Sequence, residues 1–360
     1  MPRSWSGSKE KRFTVVAGRR KLAAVVLTLL AASAAACNAP STETGGAPST
    51  EQTEGQPCAA GNERSCEAAV GDLLDVTLNQ LHPTQPSLGY DEVYYRLGRY
   101  TMGPDPANQL LDAWCATNGQ EGLQSAGPDA SLADPASFTC EVPLGSETPE
   151  TIGKMKTAVV GPGGQLYLTD GHHTLTSFWD VPGGGPDTHV RLKITGNLSD
   201  LTPEAFWQEM QSQGWTWLED ADGKPVTPEQ LPTRLGLREF GNDRYRSVLY
   251  FARDVGFSQD DNSPAFQEFY WGQWLRSQTD PSLQLDNFNL DEMASYLTLV
   301  GNVAKAIVAL PEDAEIANSR DAAQLGKLDS FGEKAFDALS EPIDSPKPGK
   351  LTYSIAYKTR

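Results

Sequence analysis

Histidine is scarce in this 360-residue chain: there are four, beside five cysteines and five methionines. Any Ser-His-Asp triad or histidine-built metal site has to draw on those four. No Gly-x-Ser-x-Gly elbow, His-Glu-x-x-His helix, Walker A loop or EF-hand loop occurs, which removes the sequence signatures of the common hydrolases, zinc peptidases, P-loop enzymes and calcium sensors. No Cys-x-x-Cys spacing occurs either, so a zinc knuckle is disfavoured. Positive charge is also short, with 29 Lys and Arg against 47 Asp and Glu and a net charge of −18. Such a body repels phosphate backbones, and broad nucleic-acid binding is disfavoured unless a local basic patch or bridging cation reverses the field. No repeat of roughly 20 to 50 residues recurs, against a solenoid.

What is present begins with a basic start, Arg3 to Lys21, followed by the apolar run "LAAVVLTLLAASAAAC" from Leu22 to Cys37. The run falls short of the roughly 20 apolar residues a membrane-spanning helix needs. A basic region, an apolar region and small residues before a cut site describe a secretory signal over residues 1–36. "SAAAC" resembles a bacterial lipobox, in which Cys37 would be lipidated, although Ala34 stands where Leu is usual. The alternative is an ordinary cleaved signal with a bystander cysteine. "GRR" at Gly18–Arg20 loosely resembles a twin-arginine export signal. Residues 38–57 contain almost no large apolar side chain, and the segment 37–65 is expected to be a disordered tether. The expected location is the outer face of the bacterial cytoplasmic membrane or the cell envelope, with the membrane reached through a lipid anchor only. Removing residues 1–36 takes away seven basic and one acidic group, leaving 22 basic against 46 acidic residues, a balance of −24.

Cys58, Cys66, Cys115 and Cys140 remain, an even number that suggests two disulfides in an exported chain. Three connectivities are possible; Cys58 with Cys66 and Cys115 with Cys140 is the short-loop choice.

Along the body, "VTLNQL" reads as a strand with Val76, Leu78 and Gln80 on one face, and "GYDEVYYRLGRY" as a short helix with Val93, Leu97 and Tyr100 on one stripe. Residues 101–150 read as loop. "KTAVV", "GPGG" and "QLYLTD" describe strand, turn and strand, after which Asp170-Gly171 leads into a short helix "HHTLTSFWD". His172 and His173 therefore sit where a strand becomes a helix N-terminus, a place suited to anions. "THVRLKIT" is a further strand with Val190, Leu192 and Ile194 alternating. "TPEAFWQEMQSQG" is a helix capped by Thr202, with Pro203 at its first position. "WTWLEDADGKPV" reads as strand and turn. From Thr227 the pattern becomes helical: helices are expected around Tyr245–Ala252, over "AFQEFYWGQWLRSQ", from a cap at Asn289 through Ile307, and over "DAAQLGKLDSFGEKAFDALS". The tail "KLTYSIAYKTR" reads as a closing strand or as disordered. The fold class is α+β, a small mixed sheet followed by a helical C-terminal part.

Four stretches, "LHPTQPSLGYDEVYYR", "VVGPGGQLYLTDGHHT", "NDRYRSVLYFARDVGF" and "FQEFYWGQWLR", together resemble the ParB-like putative nuclease family of the ParB/sulfiredoxin fold superfamily. The resemblance runs from about Asp75 to Arg276. It implies a ParB/sulfiredoxin-like domain over 66–225, with a helical part over 226–345 packed on it and a tail over 346–360. The departures are informative. ParB proper carries a Gly-Glu-Arg-Arg type box where this chain has Gly171-His172-His173-Thr174, followed by a DNA-reading helix-turn-helix that has no basic counterpart here. Sulfiredoxins place a catalytic cysteine in the matching turn, and this chain has none there. Nucleotide-triphosphate chemistry and sulfinic-acid repair are thus poorly supported.

The candidate site follows from these boxes. Adjacent histidines at a helix start diverge by about 100°, so one is expected to face the site and the other to pack or cap. As an enzyme, one of His172 and His173 would act as general acid or base. Asp170 would orient it, cap the helix or hold a divalent metal ion. Thr84, Gln85, Gly171, Thr174 and Arg246 would bind the substrate, Arg246 through its bidentate guanidinium. The plain alternatives are loop hydrogen bonds for Thr84 and Gln85, and ion pairs of Arg244, Arg246 and Arg253 with Asp243 and Glu268. Trp207, Trp215, Trp217, Trp271 and Trp274 are core aromatics by default. Two functions are carried forward: a nuclease or phosphoester hydrolase acting at the Asp-Gly-His-His turn, and a non-catalytic cell-envelope module for a small anionic ligand.

Overall fold

The computed structural model describes residues 57–260 and 263–360. The expected export signal, Cys37 and most of the expected tether lie outside the described residues. Cys58–Ser65, assigned above to the tether, is held by the sheet's hairpin turn: the Asn62 side chain donates to the Gly163 carbonyl at 3.0 Å, and Glu63–Cys66 is a helical turn. Cys58 is bonded to Cys66, and Cys115 to Cys140.

Five strands form one mixed sheet: β1 (Leu73–Thr77), β2 (Leu81–His82), β3 (Thr157–Val160), β4 (Leu166–Leu168) and β5 (His189–Asn197), in the order β1-β5-β3-β4-β2. β3 and β4 are an antiparallel hairpin, and its "GPGG" turn uses positive φ at Gly163 and Gly164. β5 runs antiparallel to β1 and parallel to β3. Its Val190, Leu192 and Ile194 are buried, as the period-2 alternation requires. "VTLNQL" is not one strand, because the Thr77 N-cap turns Leu78–Gln80 into a 3-10 helix between β1 and β2. "WTWLEDADGKPV" crosses as a loop that the Thr84 carbonyl holds by bonds from the Trp217 N–H and the Thr216 hydroxyl.

Helices cover the sheet and continue beyond it. α1 (Tyr90–Thr101) buries Val93, Leu97 and Tyr100. Residues 101–150 are not simply loop: α2 (Pro106–Thr117) buries Leu111, Trp114 and Cys115, and Leu123–Ala126 pairs with Phe138–Cys140. The i, i+3, i+4 spacing of those three residues is a helical signal, obscured by Gly- and Pro-rich flanks. α3 (His172–Asp180) follows β4, and α4 (Pro203–Ser212) is capped by the Thr202 hydroxyl. α5 (Arg244–Ala252) is capped by Asp243, α6 spans Gln267–Ser277, and α7 spans Met293–Ala309. The cap of α7 is Glu292 and not Asn289, because the Glu292 carboxylate reaches the Ala294 and Ser295 N–H groups.

Two C-terminal expectations are corrected. "DAAQLGKLDSFGEKAFDALS" is helical only over Glu333–Asp337 and a following 3-10 turn. Gly326 adopts the left-handed φ of 68°, which a continuous right-handed helix cannot contain. The tail is neither strand nor disordered: α8 (Lys350–Lys358) is a helix with Leu351 and Tyr353 buried. It lies against α1, and the approach needs Gly98, where a Cβ would stand 2.6 Å from the Tyr353 carbonyl oxygen. Among the described residues no helix is long and apolar enough to cross a membrane.

Candidate functional site

A cleft of about 480 Å³ opens beside the turn Asp170–Thr174. α1 contributes Glu92 and Arg96, the start of α3 contributes both histidines, α5 and its C-cap contribute Arg246 and Arg253, and α6 contributes Glu268. Gln85 and Lys156 complete the polar wall.

The local fold explains each position. β4 ends at Leu168, and Gly171 turns the chain into α3 at φ 98°, a conformation only glycine adopts without strain. A Cβ at Gly171 would also lie 2.6 Å from Lys156 Cγ, so the Lys156 side chain runs directly over the turn. Its ammonium meets Asp170 at 3.1 Å. Depth in the cleft pushes the Asp170 carboxyl up, but Lys156 and the Gly171 N–H outweigh that effect and hold it below the ordinary value. The carboxylate itself remains open to solvent.

His172 is buried and His173 largely so, and both accept backbone hydrogen bonds. The Thr84 N–H donates to His172 Nε2 at 3.1 Å, and the Gly89 N–H donates to His173 Nε2 at 3.1 Å. Each ring proton therefore sits on Nδ1. In His173, Nδ1 faces the Glu92 carboxylate at 3.4 Å. Burial drives the His172 pKa down to about 3, with Arg246 pushing the same way against Asp170. Burial and then Arg246 drive His173 well below its usual value. In both rings the unprotonated nitrogen is engaged by a backbone N–H, and the pair ties the Thr84–Gly89 loop to α3.

Charge in the cleft is carried by the guanidiniums. Glu92 bonds to Arg96 at 2.8 Å, one helical turn along α1. Glu268, 6% exposed, pairs with Arg253 and, at 3.5 Å, with Arg246. Arg246, 7% exposed, stacks over the Phe269 ring with its central carbon 3.8 Å from the centroid. Glu92 keeps Arg96 protonated despite burial, and Glu268 does the same for Arg253.

The sequence-derived site residues separate into two groups. Asp170, Gly171, His172, His173, Thr174, Gln85 and Arg246 line one cleft. Thr84 does not. It is fully buried beneath the cleft, donating to the Leu168 carbonyl at 2.6 Å, so it supports the site from below. His82 bonds to Gln165 at 2.7 Å and takes no part in the lining. Arg244 pairs with Asp286 at the surface, and Asp243 pairs with Arg276 rather than with Arg246. Glu92, Arg96 and Lys156 were missed. The i, i+4 spacing of Glu92 and Arg96 was the available signal, and nothing local marks Lys156. Among the described residues no group of three or more His, Cys, Asp or Glu stands together as a metal cage. A larger cavity of about 600 Å³, walled by Trp114 and Phe138, contains none of the expected site residues.

The family model described as "Putative ParB-like nuclease" matches residues 74–277. Among solved structures, protein Atu1540 from Agrobacterium tumefaciens is similar over 66% of this chain and 93% of its own, at 17% identity and a TM-score of 0.42. No curated protein matches.

Proposed function

Given that the chain belongs to the ParB-like nuclease family, we propose that the cleft binds a small phosphoester, with the guanidiniums as its principal anion seat. One observation carries this reading. With both histidines neutral, Arg96, Arg246 and Arg253 face only Glu92 and Glu268 in the interior. Lys156 is balanced by Asp170, and Asp260 stands at the exposed rim. The lining as a whole sets four cations against four carboxylates, and within it the three guanidiniums gather around Glu92 and Glu268, next to the N-terminus of α3. A unit charge at 4 Å is worth about 4 kcal/mol at an effective dielectric near 20, against about 0.3–1 kcal/mol for a helix dipole. The arginines therefore supply most of the attraction, and the α3 turn supplies direction.

In this reading His172 and His173 are positioning residues. Asp170, ionised and open to solvent, is the group available to hold a divalent ion or orient an attacking water. Export through residues 1–36 and anchoring at Cys37 would set the domain outside the membrane, where a small substrate suits its acidic surface better than polymeric DNA.

The second reading is a non-catalytic envelope module for the same anion, favoured by the backbone bonds that occupy both Nε2 atoms. A panel of small phosphoesters, with and without divalent metal, separates the two. The enzyme reading expects turnover that Asp170→Asn abolishes. Saturable binding with no turnover across the panel sinks it in favour of the module.

A further inference from the structure

One aromatic side chain, Phe266, lines the cleft and is partly exposed to it. Its ring is 5.5 Å from Phe269 and 5.9 Å from Trp217, and Trp217 stacks on Phe269 at 4.5 Å. Phe269 is the same ring that carries the Arg246 guanidinium on its face. One buried aromatic thus fixes both the anion post and the partly open ring beside it. Phe266 also sits at φ 60°, ψ 26°, the left-handed region, as the residue entering α6. A bulky side chain there is strained, and such strain collects at binding and active sites.

We propose that the ligand of this cleft carries a planar ring beside its phosphate, and that Phe266 selects it by stacking. The inference rests on the anion reading above and narrows its substrate class from any phosphoester to ring-bearing ones. A ring directly esterified to phosphate and a ring held one sugar away share this chemistry. Flat rings gain from offset or edge-on contact with an aromatic platform, whereas saturated rings of similar size gain only from burial.

The test is calorimetric titration of the full chain with inorganic phosphate, phenyl phosphate, cyclohexyl phosphate and thymidine 5′-monophosphate. Phenyl phosphate or thymidine monophosphate should bind roughly tenfold tighter than cyclohexyl phosphate, as expected for one aromatic stack. Whichever of the two shows the preference identifies the spacing between ring and phosphate. In Phe266→Leu, which keeps apolar bulk and the same backbone demand, that preference should vanish while the affinity for inorganic phosphate stays unchanged. Equal affinity for phenyl, cyclohexyl and thymidine phosphates in the unaltered protein, with inorganic phosphate still bound, overturns the ring proposal and leaves the anion seat standing. Failure of all four ligands, inorganic phosphate included, refutes the anion reading itself.

Discussion

Replacing His172 by Phe separates a histidine that holds the fold from one that touches the ligand. The substitution keeps a planar ring of similar size, so little cavity cost is expected. What it removes is the acceptor for the Thr84 N–H, and Thr84 is fully buried. A buried backbone donor left without a partner costs about 1–3 kcal/mol. At the middle of that range, about 2 kcal/mol, the melting temperature of a domain this large should fall by about 4–8 °C. Urea unfolding should show the same loss through a lower midpoint at an unchanged slope. The affinity for inorganic phosphate should move by less than about threefold, since the arginines are untouched. The opposite pattern, full stability with phosphate binding lost, would refute the positioning role and return His172 to direct contact with the ligand.

Further expectations follow from the same geometry. Both histidines are neutral in the fold and become protonated on unfolding below about pH 6.5, so the unfolded chain binds more protons. Stability should therefore fall as the pH drops below about 6.5, by up to about 1.4 kcal/mol per pH unit for each ring, and for His172 the loss should continue until about pH 3; imidazole proton shifts of His172 and His173 that titrate between pH 5 and 8 would contradict this. Gly171→Ala forces a left-handed alanine at φ 98° and drives Lys156 aside, costing about 1–2 kcal/mol in backbone strain and up to about 1 kcal/mol in the opened ion pair, measurable by thermal melting. Lys358→Met strips Asp91 of its 3.1 Å ammonium partner while Tyr296 still donates to it; breaking a buried pair on one side costs roughly 3–5 kcal/mol, and a loss below about 1 kcal/mol by urea unfolding would mean that α8 does not clamp α1.

How far the sequence speaks depends on how local the determinant is. The start of α3 is legible because Asp-Gly before a polar–apolar alternation is a local turn signal, and the structure begins the helix at His172. The alternation of Val190, Leu192 and Ile194 marks β5 in the same way. The placement of α8 is not legible, because its close approach to α1 depends on Gly98, far away in the chain, leaving room for the Tyr353 carbonyl. The family model reached the same boxes that the resemblance rested on, over residues 74–277. The partners of the histidines were not readable, because the Thr84 and Gly89 amides that bond their Nε2 atoms lie more than eighty residues away in the chain. Glu92, in the first turn of α1, is buried between His173 and Arg96. Charge partners brought together from four helices carry no shared sequence period, so the guanidinium cluster becomes visible only in three dimensions.

The most direct test of the anion seat is a calorimetric titration of inorganic phosphate into the unaltered protein and into Arg246→Gln at low ionic strength. The expected result is a single saturable site whose affinity falls at least about tenfold in the variant, the loss of one charge-assisted contact worth about 1.5–3 kcal/mol. No saturable site in the unaltered protein, or an affinity that ignores the substitution, would contradict it.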